Sequence, residues 1–282
     1  MKRRLIVYIF FILIFTAIRY MTYDSYHIYP MVIIKSNSKD KYLHFSLDDV
    51  HDCIKRLSQH NKVSIFEDST MHILKDWHDQ YGVVVSLYVQ GDFTINSKYA
   101  RELINNSSWL KFGYHGSGDS RYKIGMWKFY EQIRDSVKSD LIIDQCPRLD
   151  YFHANYITCK ILQWLGCTGF LGCDDWAFNA ANRGSNYYLS QEQSQILDKN
   201  SRLLDTNNNL YFIKSDFRLE QIEQRWNNVR ECLNYYNNHS IQADELIIFS
   251  HEWAFMNYTS QADSIFKWAK KEGYKFEFPM NK

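Results

Sequence analysis

The chain carries almost no excess charge: 33 Lys and Arg stand against 32 Asp and Glu, a formal net charge of +1 over 282 residues. No basic stripe breaks that balance to track phosphates, which argues against nucleic acid as a partner. No CxxC pair occurs among the six cysteines, at 53, 146, 159, 167, 173 and 232, so zinc-finger and thioredoxin-like frameworks fail. Structural thiols are the expectation, with one or two disulfides if the domain is exported. Past residue 39 there is no Pro/Gly/Ser-rich linker. Residues 40–282 therefore read as one catalytic-sized domain, preceded by a polar and aromatic connector over 22–39.

Long apolar runs are equally scarce, with one exception at the start. Met1-Lys2-Arg3-Arg4 leads into an uncharged stretch over 5–18, the pattern of a membrane-targeting segment. A helix over 5–18 spans about 21 Å, short of a bilayer core unless Tyr20 and Met21 extend it, so a signal peptide competes with an anchor. No small-x-small cleavage site follows Ile18. Residues 1–21 thus read as an uncleaved anchor with the basic end in the cytoplasm and the domain outside, cleavage and secretion being the alternative. The Arg pair lacks the flanking pattern of a twin-arginine signal.

Aromatic residues are abundant, at 17%, and suit a bulky core or a groove that stacks on flat ligand faces. Strand and helix patterns alternate: strand 42–47, helix 70–81, strand 83–89, helix 98–105, strand 110–114, helices 126–138 and 155–165, and a short strand 169–171. A strand 210–214 follows from a hairpin carrying Asn207-Asn208-Asn209, then a long helix 219–237, strand 246–250, helix 261–271 ended by Gly273, and a last strand 274–278. Such alternation predicts an α/β fold with a mostly parallel sheet, and its unit count suits a distorted (β/α) barrel of about seven strands, with chemistry at the carboxyl ends.

Polar residues gather at those ends. Asp48-Asp49 terminates the first strand; neighbouring carboxylates repel, which favours one binding a cation while the other stays free as a base, although a solvated turn or helix cap is the plain alternative. His115 and Asp119 follow the 110–114 strand; four residues apart they would share a helical face around an ion, but Gly116 and Gly118 argue against a regular helix. Arg148 is most simply an ion-pair partner. His251, after a buried strand, is either a hydrogen-bonded core group or a catalytic acid. Asp174-Asp175-Trp176 follows 169–171, where Asp175 and Trp176 also suit a loop acid and a core indole. His44, His51, His153 and Asp52 are weaker ligand candidates, and strand alternation is expected to turn His44 away from the site.

In this order and spacing the set resembles the polysaccharide deacetylase family, carbohydrate esterase family four with its nodulation-type deacetylase domain, from Lys41 to Pro279. Ser46-Leu47-Asp48-Asp49 is similar to the first motif, Thr-Phe-Asp-Asp, with Val50 where a Gly follows. Residues 112–119 resemble the second motif, His-Ser/Thr-x-x-x-His, and Pro147-Arg148 the arginine motif, with Leu149-Asp150 departing from it. Asp174-Asp175-Trp176 resembles the fourth, Ile247-Ile248-Phe249-Ser250-His251 the fifth, and 266–276 the closing helix-Gly-Tyr-x-Phe.

The resemblance implies Asp48 as general base, Asp49 and His115 as metal ligands, and Asp119 in the third ligand's place, where a histidine is expected. It implies His251 as the acid that protonates the departing amine. Arg148 with Asp174 or Asp175 would orient Asp48 and His251, and Tyr151, Trp176 and Trp253 would offer sugar-stacking faces. The implied cofactor is a divalent metal, zinc first, with cobalt, nickel, manganese or iron(II) as alternatives. The implied substrate is an acetylated glycan, N-acetyl before O-acetyl. Two other readings share the fold: a silent carbohydrate-binding domain, motivated by Asp119 and Val50, and a metal-dependent amidase on a non-sugar substrate. Oligomeric state is not legible.

Overall fold

In the computed structural model, residues 29–34, 40–59, 62–118, 123–174, 186–239 and 244–280 are described. The strands are β1 (Met31–Ile33), β2 (Lys41–Val50), β3 (Val85–Val89), β4 (Leu110–Tyr114), β5 (Ser117–Gly118), β6 (Asp150–Ala154), β7 (Gly169–Leu171), β8 (Arg202–Asp205), β9 (Leu210–Ile213), β10 (Phe217–Arg218), β11 (Glu245–His251) and β12 (Tyr274–Phe276).

The longest, β2, is buried on both faces, as a strand is when helices cover one side and other strands close over the other. Its odd residues face the helices: the Phe45 ring meets Trp77 at 5.9 Å and Phe266 at 5.3 Å, from the helices Ser69–Tyr81 and Thr259–Lys271. Its even residues face inward, where Ser46 and Asp48 meet Arg148.

The parallel order runs β10-β11-β2-β3-β4, with β12 pairing the foot of β2. Backbone bonds then carry the ring onward. Phe112 donates to the Ile142 carbonyl (2.7 Å) and Asp144 to the Phe112 carbonyl (2.8 Å), while Thr168 donates to Gln145 (2.8 Å) and Leu171 to Pro147 (3.1 Å). Residues 142–148 thus stand between β4 and β7. Strand β7 pairs in parallel with β9, and the chain passes directly from β9 to β10, which pairs with β11. The circuit of β2, β3, β4, 142–148, β7, β9–β10 and β11 is the expected distorted barrel. Its interior is crossed by Tyr88, whose hydroxyl donates to the Cys146 carbonyl (2.9 Å); a Cβ at Gly113 would sit 2.7 Å from the Tyr88 ring, so glycine makes room for it.

Local chemistry accounts for most helix ends. Asp68 caps Ser69–Tyr81 by accepting from Thr70 and Met71, and Gly82 at φ 82° closes it. The helix Asp52–Gln59 starts differently: the Glu252 carboxylate accepts from the backbone N–H of His51 (2.7 Å), Asp52 (2.8 Å) and Cys53 (2.6 Å).

Several expectations change. The long helix over 219–237 is broken into Leu219–Gln221, Ile222–Trp226 and Val229–Asn238, because Asn227 adopts φ 60° and Asn228 caps the next helix through the Glu231 N–H. Part of the connector belongs to the fold: β1 pairs antiparallel with β8, and Tyr29 is buried against Tyr156 with ring centroids 4.7 Å apart. The hairpin over 207–209 forms as expected between β8 and β9. All six cysteines are buried, and no disulfide joins them. Among the described residues no helix is long and apolar enough to cross a membrane; the segment 1–21 lies outside them.

Candidate active site

Asp48 and Asp49 point in different directions because β2 slips against β3 between Leu47 and Val50 and Asp49 takes φ 56°. Asp is among the residues that tolerate this left-handed conformation best. Asp48 stays inside the barrel, its Oδ1 2.8 Å from Arg148 Nη1 with both side chains closed to solvent. Asp49 turns to the mouth, where its side chain is 28% exposed.

Both terminal nitrogens of Arg148 are engaged. Nη1 also donates to Ser46 Oγ (2.8 Å), Nη2 donates to Ser215 Oγ (2.9 Å), and the guanidinium carbon lies 3.9 Å from the Phe249 ring centroid. Its backbone carbonyl lies 2.5 Å from His115 Nδ1. That carbonyl can only accept, so Nδ1 carries a proton and donates, and Nε2 faces Asp49 Oδ1 at 3.4 Å, where the protonated ring donates to the carboxylate. The His115 contact holds the Asp49 carboxyl below its usual range. Burial pushes the His115 imidazole down, but the charge of Asp48 and the Asp49 contact outweigh it and the net direction is up.

His251 ends β11 in register with Asp48 on the neighbouring strand. Its Nδ1 lies 3.2 Å from Glu220 Oε1, and its ring stacks on Trp253 with centroids 5.3 Å apart. Trp253 Nε1 donates in turn to Asp49 Oδ2 (3.3 Å). Asp49, His251 and Trp253 line a cavity of about 300 Å³ together with Tyr151, and the Tyr151 and Trp253 side chains are 55% and 71% exposed there. Tyr151 and Phe152 both have positive φ, 55° and 52°, a strained pair of the kind that accumulates at functional sites.

Asp48, Asp49, His115, Arg148, His251, Tyr151 and Trp253 therefore meet at one cavity. Asp119, Asp175 and Trp176 lie outside the described residues. Asp174 makes no hydrogen bond to Asp48 or His251 among the described residues. It is buried against Arg218, which donates to it through Nε (2.9 Å) and Nη2 (2.5 Å); burial raises its carboxyl, but this contact prevails and holds it low. His51 and His153 are exposed and outside the cavity lining. His44 is set apart by depth rather than alternation: it shares the inward parity of Ser46 and Asp48, but sits lower in the barrel beside Phe278.

Glu220, Arg218, Ser46 and Ser215 escaped the sequence reading. Ser46 could have been found, because it shares parity with Asp48. The others come from the β9–β10 region, where no motif flags them.

Asp49 and His115 form a two-donor set suited to a divalent cation: an anionic oxygen beside an imidazole nitrogen, with the other ring nitrogen fixed by a backbone carbonyl as metal-ligating histidines commonly are. Among the described residues no group of three metal-competent side chains occurs, and Asp119, the expected third donor, is not one of them.

No family model matches the chain, and no curated protein matches it in sequence. Among solved structures it is similar to a peptidoglycan N-acetylglucosamine deacetylase, at 12% identity and a TM-score of 0.44, over 84% of this chain and 86% of that one. It is also similar to the CE4 domain of a multidomain xylanase from the hindgut metagenome of Trinervitermes trinervoides, at 13% identity and a TM-score of 0.41, over 84% and 87%. A third is the catalytic domain of a peptidoglycan N-acetylglucosamine deacetylase from Eubacterium rectale, at 10% identity and a TM-score of 0.41, over 89% and 93%. At these values the likeness transfers no activity.

Proposed function

We propose that the chain is a metal-dependent deacetylase of the polysaccharide deacetylase type, hydrolysing an N-acetyl group on a glycan. One observation carries this reading: a carboxylate buried on an arginine, a carboxylate–imidazole pair and a second histidine face the same cavity from different staves of the barrel.

Asp48, oriented by Arg148, is the general base that takes a proton from the attacking water. Asp49 and His115, with Asp119 as third ligand, would hold a divalent cation, which would supply positive charge to polarise the acetyl carbonyl and acidify water. Zinc is the first choice, and cobalt, nickel, manganese and iron(II) suit the same donors. His251 presents Nε2 to the departing nitrogen and, as the imidazolium with Nδ1–H held by Glu220, donates its Nε2 proton to it, while the proton of the attacking water stays on Asp48. Tyr151 and Trp253 hold the sugar by stacking on its faces. Acetate and an amino sugar leave. The reading includes an extracytoplasmic domain carried by the segment 1–21.

Metal titration of the full chain tests the ligand set. Wild type should take up one divalent ion, and Asp49→Ala, His115→Ala and Asp119→Ala should each lose at least tenfold in affinity. Unchanged uptake in the first two variants contradicts the site; unchanged uptake in Asp119→Ala alone removes only the third ligand.

A further inference from the structure

Glu220 lies on the turn Leu219–Gln221 that follows β10, outside every motif by which the site was found. A single oxygen, Oε1, accepts from Ser250 Oγ (2.8 Å), from the His251 backbone N–H (2.5 Å) and faces His251 Nδ1 (3.2 Å). The other oxygen, Oε2, is buried with no hydrogen-bond partner among the described residues. Burial pushes the Glu220 carboxyl up, but the contacts from His251 prevail and keep it low, so it stands as an anion beside the ring.

Asp174, one of the two acids expected to orient His251, is already engaged. Asp174 spends both oxygens on Arg218, whose guanidinium also faces the Phe249 ring at 5.1 Å and stands on the cavity wall. We infer that Glu220 is the positioning residue of His251: it fixes the strand end through the backbone and Ser250, and selects the Nδ1–H tautomer so that Nε2 faces the cavity. Which ring nitrogen carries the proton is set by the hydrogen bond the other side of the ring makes. The role of His251 as acid rests on the deacetylase reading; the tautomer does not.

Imidazole ¹⁵N NMR of the full chain, with the His251 signal assigned by its loss in His251→Gln, tests this at a pH where the ring is neutral. Wild type should show the Nδ1–H tautomer. Glu220→Gln, which keeps an acceptor oxygen, should retain it. Glu220→Ala should shift His251 toward the Nε2–H form and, where acetate release is measurable, lower kcat about 10²-fold with KM little changed. A folded Glu220→Ala chain that keeps the wild-type tautomer overturns the inference, and if that variant fails to fold, Glu220→Leu and the wild-type tautomer itself decide: an Nε2–H wild type overturns it equally. A correct tautomer pattern without any acetate release would count against the deacetylase reading and leave the positioning role standing.

Discussion

Arg148 Nη1 and Asp48 Oδ1 are 2.8 Å apart at the floor of the cavity, with side-chain exposures of 0% and 2%. The pair fixes Asp48, so in the proposed reading stability and function are tied at one contact. Removing one partner leaves an uncompensated buried charge, a loss of about 3–5 kcal/mol. Asp48→Asn and Arg148→Met should each lower the urea unfolding free energy by that amount, and the apolar double variant Asp48→Leu/Arg148→Met should recover most of it. Near-additive losses in the double variant would show that the two charges do not depend on each other.

Glu252 joins the two strand ends that carry Asp48 and His251. Its carboxylate gathers three backbone N–H groups from His51, Asp52 and Cys53, immediately after β2, while its own backbone immediately follows His251. Glu252→Gln keeps one acceptor and replaces the other with a donor aimed at donors. A loss of about 2–3 kcal/mol is expected, with faster amide hydrogen exchange at Asp52 and Cys53. Unchanged exchange there would contradict the clamp.

Two buried groups set opposing pH dependences. Burial pushes the His44 imidazole from 6.5 down to about 4, so the unfolded chain takes up a proton that the folded chain refuses. The stability this lends is whole above pH 6.5 and is lost as pH falls from 6.5 to 4. Burial pushes the Asp216 carboxyl from 3.8 up to about 7, so the folded chain keeps a proton that the unfolded chain gives up. That stability is whole below pH 3.8 and is lost as pH rises to 7. Between pH 4 and 6.5 the slopes oppose each other at about 1.4 kcal/mol per pH unit each, and wild type should be nearly flat. His44→Phe should become less stable with rising pH across that window and Asp216→Asn more stable, measured by urea denaturation at pH 4, 5 and 6.5. Equal slopes in both variants would contradict the assignment.

What the sequence disclosed and what it hid divide along a physical line. The barrel was legible because alternation of apolar strands and amphipathic helices is written locally, and so were Asp48, Asp49, His115, Arg148 and His251, which close strands or follow them. The break at Asn227-Asn228 was also written locally, as a pair suited to a left-handed residue and a cap, but the apolar period across 219–237 masked it. Glu252 capping the helix Asp52–Gln59 and Glu220 orienting His251 carry no local signal, since their partners lie about 200 and 31 positions away. His44 shows the limit of parity: period two gives the face of a strand, not the depth along it.

The deacetylase reading stands most directly on acetate release by the full chain. Loaded in turn with zinc, cobalt, nickel and manganese, wild type should free acetate from an N-acetylated glycan, and Asp48→Asn, corrected for its folded fraction, should be slower by about 10²–10⁴-fold while retaining metal. Wild type that frees no acetate with any of these ions, or Asp48→Asn that matches it, would contradict the account.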